Sequence, residues 1–258
     1  MAVKSVRRAR QVVQNVAGLF NGRLSQSLMP SRQKYAVDDI VSLSTGLRPL
    51  DKATGLGGLP RGHITELIAP GVTTDSSGAI SIATKIAAKA QRQQQIVTII
   101  DLTGQFDPWL AERTGLMAPH LLLNQPETLF EALTTLETAV REEGFVLIVT
   151  GIVSDLLSHI DAARLKMLAR RLSAIIHQAN SVLLFVTTPL ENDPFNPANY
   201  PAGFQLSELA DIRLWTQAEH WTYKHGLATL YKANLTVIKN DLATVGTGAD
   251  VRVKFTDA

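Results

Sequence analysis

Apolar and polar positions divide the chain into a short amphipathic start and a long body in which strands and helices alternate. Within residues 5–20, Val12, Val16, Leu19 and Phe20 fall on one stripe of a helix. Gly22 follows where a C-cap belongs, and a polar stretch over 25–39 sets this helix apart. Further on, residues 63–69 read as a strand, 80–93 as a helix and 95–101 as a second strand. Asp107 and Pro108 supply an N-cap and a first-turn proline for a short helix ending near Gly115. Residues 126–143 carry a helical stripe of Leu129, Leu133, Leu136 and Val140, stopped by Gly144. A strand over 145–150, a helix over 154–178 and a strand over 181–188 complete this part. Such alternation implies parallel βαβ units around a buried sheet. The end of the chain changes character: 211–222, 227–239 and 251–255 read as antiparallel strands, with a turn at His225 and Gly226. The expected organisation is an N-terminal arm over 1–40 and an α/β core over 41–258.

Composition narrows the possible chemistry. At 45% apolar and 19% charged, 258 residues can bury one sizeable core and do not form a disordered chain. Cysteine is absent, which excludes disulfides and thiolate metal sites. His63, His120, His159, His177, His220 and His225 show no metal-ligand spacing, so no metal and no cofactor is expected. With no apolar signal region and no run of ~20 apolar residues, a cytoplasmic protein that makes no membrane contact is expected. The net charge of +2 is too small to argue for nucleic acid, but its distribution is uneven. Lys4, Arg7, Arg8, Arg10, Arg23, Arg32 and Lys34 crowd residues 1–37 without one acid. Such an arm suits a phosphate backbone, an acidic protein face or simple solubility.

Residues 43–62, LSTGLRPLDKATGLGGLPRG, resemble the run that opens the core of bacterial RecA-type recombinases. DLTGQFDPWLAERTGL from 101 is similar to that family's acidic, DP-containing helix start, and LLLNQPET at 121–128 to its strand and following turn. ADIRLW at 210–215 and LTVIKN at 235–240 match two late strands, and LFNGRLSQSLMPS at 19–31 resembles the stretch after the family's polymerisation helix. The likeness covers roughly residues 10–255. It implies a RecA-like P-loop NTPase core: a largely parallel sheet flanked by helices, antiparallel strands at the C-terminal end, and an N-terminal helix. The family's small C-terminal domain is expected to be absent.

The resemblance also places the nucleotide chemistry, and there the residues depart from it. A P-loop needs a lysine for the β- and γ-phosphates and a hydroxyl for Mg²⁺. Ser76, Ser77 and Gly78 match the family's SSG, but Ala79 stands at the lysine and Ile80 at the hydroxyl position. The glutamate that activates water aligns with Thr103, the Walker-B aspartate with Thr150, and the glutamine sensor with Thr188. Phosphoryl transfer rests on positioned charge, so these replacements imply a vestigial nucleotide site with no catalytic residue and no ATPase activity. Gly78 still precedes a helix N-terminus, either an anion seat or a plain turn. Lys85 is a solvated helix lysine or, on the alternative, a relocated catalytic one. Lys239 matches the first lysine of a Lys-Asn-Lys motif that reaches a neighbour's nucleotide, with Asp241 replacing its companion.

The family grips single-stranded DNA with two loops. The first is shortened here, over 151–159; the second, 189–204, has four prolines, Glu191 and Asp193, and no Lys or Arg. Phe195, Tyr200 and Phe204 can stack on bases or anchor the loop to its own core. Other basic surface lies on the arm, at Arg7, Arg8 and Arg10, and on the helix bearing Arg164, Lys166, Arg170 and Arg171. The expectation is an inactive, ImuA-like accessory protein of recombinational repair or damage-induced mutagenesis. It would assemble through Val12, Val16, Leu19 and Phe20 with a RecA-type recombinase, a translesion polymerase or itself. Two alternatives stand beside it: an ATP-independent filament on single-stranded DNA, and a divergent ATP-dependent recombinase.

Overall fold

The structure, a computed structural model, describes residues 40–70, 77–149, 159–189, 193–243 and 248–256. The N-terminal arm, with its apolar stripe Val12, Val16, Leu19, Phe20 and its arginines Arg7, Arg8 and Arg10, lies outside these residues, as do Ser76 and Thr150.

In chain order the elements are β1 (Ser42–Leu43), α1 (Arg48–Ala53), β2 (Leu59–Pro60), β3 (Ile64–Ile68), α2 (Ser77–Arg92), β4 (Val97–Asp101) and α3 (Pro108–Arg113). Then follow β5 (Leu121–Asn124), α4 (Leu129–Arg141), β6 (Phe145–Val149), α5 (Ala162–Gln178), β7 (Val182–Thr187) and α6 (Leu206–Leu209). The antiparallel end comprises β8 (Ile212–Lys224), β9 (Leu227–Asn240) and β10 (Ala249–Lys254). Among the described residues eight strands form one sheet in the order β10-β9-β8-β3-β7-β6-β4-β5, and β1 pairs with β2 alone. Strands β8, β3, β7, β6, β4 and β5 run parallel, while β9 and β10 are antiparallel.

Helices cover both faces, which is why the central strands are nearly unbroken apolar runs. On one face Leu67, Val97, Leu147 and Leu184 meet Ile82, Ala83 and Ile86 of α2. On the other, Ile64, Ile100, Val146 and Phe185 meet Leu136 of α4 and Leu165, Leu172 and Ile176 of α5.

Local chemistry sets several boundaries. Asp107 caps α3 by accepting from the amides of Trp109 at 2.9 Å and Leu110 at 3.2 Å. His225 and Gly226 both take positive φ, 49° and 81°, as the two-residue turn between β8 and β9 demands. Gly144 does not stop α4: Glu143 takes the left-handed conformation, φ 56°, and Gly144 lies against the Ile96 carbonyl, where a Cβ has no room. Nor is 154–178 one continuous helix. Residues 159–161 are a turn in which Asp161 caps α5 through the amide of Arg164.

Candidate functional site

The carboxyl ends of the parallel strands and the start of α2 form the region where a P-loop protein holds its phosphates. Helix α2 has no acid in its own first turn. Gly78 lies in that turn, and the space above its Cα is filled by the Glu219 carboxylate and the Tyr231 ring, which hydrogen-bond to each other. The chain's own anion therefore lies against the positive end of the helix dipole. Ala79 and Ile80 follow Gly78 as buried core residues.

Of the three register shifts between β8 and β9, the bulge in β8 after Gln217 brings Glu219 there. Up to Thr216 the even-numbered residues of β8 face α2. Between Gln217 and His220 the register shifts by one residue against β9, with Ala218 at φ 47°. Beyond it Glu219 and Trp221 turn inward and His220 outward, because one inserted residue inverts a period of two. Trp221 then packs on Tyr231, at 4.6 Å between ring centroids, and on Phe255, at 5.8 Å.

The other aligned positions are tied into the fold. Thr103 donates its hydroxyl and its amide, both at 3.1 Å, to the buried carboxylate of Asp101. Asp101 also accepts from the amides of Gln105 and Phe106 and from the Gln125 side chain, so it organises the loop after β4. The Thr188 hydroxyl is enclosed without a hydrogen-bond partner. Lys239 donates to the carbonyls of Ser207, Glu208 and Ala210, closing α6, and pairs with Asp241 at 3.2 Å. Lys85 sits two turns into α2, ~12 Å along the axis from its start, and donates to the Thr114 carbonyl at 2.8 Å. It is half-buried rather than solvated, and burial, with Arg92 nearby, pulls its pKa down.

The loop after β7 is anchored to the core. Tyr200 is buried, and its hydroxyl donates to Glu66 at 2.6 Å and accepts from Arg213 at 2.8 Å. Arg213 also donates to Glu66 at 2.7 Å and to the Pro194 carbonyl at 2.6 Å, while Thr187 donates to Glu66 at 2.9 Å. Burial and the adjacent Glu66 carboxylate push the Tyr200 phenol far above its ordinary range. For Arg213 burial acts downward, but the charge and hydrogen bond of Glu66 outweigh it and raise the pKa. Tyr200 is thus corrected from base-stacking candidate to loop anchor: stacking would break both its hydrogen bonds in a site closed to water. Phe204 is buried as well, against Phe185, whereas Phe195 is 63% exposed.

Sequence reasoning missed Glu66, Arg213, Glu219 and Tyr231 as a structural set. A lone acid in ITELI and a lone base in IRLWT were the available signal for the first pair. No local signal marks the second, since the bulge decides it. Of the basic helix α5, Arg171 is paired with Glu137 at 2.7 Å, while Arg164, Lys166 and Arg170 are exposed. Among the described residues no cluster of His, Asp and Glu could hold a metal, and no helix is long and apolar enough to cross a membrane.

Comparison with known proteins gives a match to the RecA N-terminal domain model over residues 20–258. Protein RecA of Thermus thermophilus is 29% identical over 230 residues, 83% of this chain and 66% of that protein. Protein RecA of Rhodospirillum rubrum is 32% identical over 204 residues, 73% and 55% of the two chains. That of Chlorobium limicola is 33% identical over 195 residues, 69% and 55%. The chain spans less than two thirds of the length of these relatives.

Proposed function

This chain belongs to the RecA N-terminal domain family, and from that premise we propose that it serves DNA repair or recombination by assembly, without hydrolysing ATP. It is an accessory protein that joins itself, an active recombinase or a translesion polymerase. The observation that carries this reading is the start of α2. A catalytic P-loop keeps that point open for phosphate and places a lysine beside it. Here Ala79 and Ile80 are buried, and Glu219 with Tyr231 occupies the space over Gly78. A triphosphate would meet a carboxylate where it needs cations and amides.

Phosphate release and binding of a fluorescent ATP analogue, each with and without single-stranded DNA, test the proposal. Neither turnover above background nor saturable nucleotide binding is expected. Turnover abolished by Lys85→Ala would overturn it in favour of a divergent ATP-dependent recombinase.

A further inference from the structure

The antiparallel end of the sheet has two unlike faces. Its inner face, with Trp221, Tyr231, Val251 and Val253, belongs to the core around α2. Its outer face carries His220, Thr222 and Lys224 on β8, Leu230 and Lys232 on β9, and Arg252 and Lys254 on β10. The register sets Lys232 directly between His220 and Arg252, and Leu230 between Thr222 and Lys254. Among the described residues no acid pairs with Lys224, Lys232, Arg252 or Lys254, and none of these side chains has a hydrogen-bond partner. Asp250 shares the face and is hydrogen-bonded to Asn234 at 3.0 Å. Like charges opposite one another on paired strands oppose the pairing. A row of unpaired cations, exposed apart from the half-buried Lys232, is a feature that a polyanion would relieve.

We propose that this face binds the phosphate backbone of duplex DNA. Lys232 and Arg252 stand about 4.8 Å apart across the strands, and Arg252 and Lys254 about 6.8 Å apart along one, facing a duplex that presents one negative charge per ~1.7 Å. Single strands are held largely by stacking on aromatic rings, and among the described residues the ring that stands in the row of cations is the His220 imidazole alone. Trp221, Tyr231 and Phe255 are turned inward, and Tyr223 stacks on Trp221. The bulge at Ala218 adds β8 to the face, since it directs His220, Thr222 and Lys224 outward by the same step that directs Glu219 inward, while Lys232, Arg252 and Lys254 stand on the unbroken β9–β10 pairing. The proposal rests on the assignment of the chain to DNA repair or recombination.

Fluorescence anisotropy with a labelled duplex of arbitrary sequence, across a salt series and using the full chain, tests it. For Lys232→Gln/Arg252→Gln the slope of log affinity against log salt should shrink by about 1.8, at ~0.9 per lost phosphate contact, with about tenfold or greater weakening at low salt. Asp250→Asn should tighten binding. Thermal melting of the double variant should be unchanged or raised, since repulsion is removed, so lost binding cannot be ascribed to unfolding. Wild-type affinity and slope in the double variant, with loss only in Arg7→Ala/Arg8→Ala/Arg10→Ala, would overturn the proposal and move the contact to the arm. Competition by a polyglutamate peptide at the duplex's own potency would overturn it in favour of an acidic protein segment. Neither result alters the nucleotide-binding test, so the two proposals fail separately.

Discussion

Arg213→Met isolates the anchor under the loop after β7. Methionine keeps much of the length of the arginine stem but removes the cation and its hydrogen bonds to Glu66, Tyr200 and Pro194. Glu66 has no solvent exposure and is left with two neutral donors, the hydroxyls of Thr187 and Tyr200. Breaking a buried ion pair from one side costs about 3–5 kcal/mol, a large share of the ~5–15 kcal/mol that keeps a domain folded. With a urea slope of about 2–3 kcal/mol/M, the unfolding midpoint should fall by about 1–2.5 M. Glu66→Gln/Arg213→Met removes the stranded charge as well and should recover about 2 kcal/mol of the single variant's loss. Urea unfolding at pH 7, followed by circular dichroism and tryptophan fluorescence, measures both. A single variant within about 1 kcal/mol of wild type, or a double variant no better than the single, would refute the argument. Water would then reach Glu66 and the loop would not depend on the pair.

Gly78→Ala should destabilise by about 1–3 kcal/mol through overpacking against Glu219 and Tyr231, although alanine is the better helix former by about 1 kcal/mol. A melting temperature at or above wild type would mean that the α2 start is not filled. Asp211 is drawn toward protonation by burial, but the hydrogen bond and charge of His63 and the Ile64 amide outweigh that and lower its pKa. A depressed carboxyl stabilises above its unfolded value of about 3.9 and loses that contribution as pH falls through the folded value. Asp211→Asn should therefore cost about 1.5–3 kcal/mol near neutral pH, the gap closing below about pH 4. Parallel stability curves for the two proteins down to pH 3 would contradict this.

Most of the alternating core and the antiparallel end were legible from local pattern, because hydrophobic period and turn chemistry act among residues a few positions apart, whereas β5 was indicated only by the family resemblance and β1, α1, β2 and α6 by no pattern. Asp107 before Pro108, and His225 before Gly226, decide their cap and turn through their own amides and φ angles. So does the absence of a lysine after Gly78, which is a matter of identity and needs no coordinates. What the tertiary structure alone decided joins distant segments. Glu66 meets Arg213 only because β3 and β8 become neighbours, 147 residues apart in sequence. Lys239, at the end of one strand, spends its ammonium on the carbonyls of α6. Gly144 serves a close approach to Ile96 rather than a helix stop. Above all, one inserted residue at Ala218 inverts the pleat of β8. That inversion sends Glu219 to the α2 start and His220 and Lys224 to the surface, beside the cations of β9 and β10. It is set by packing between strands and helix, where the one-dimensional period carries no information.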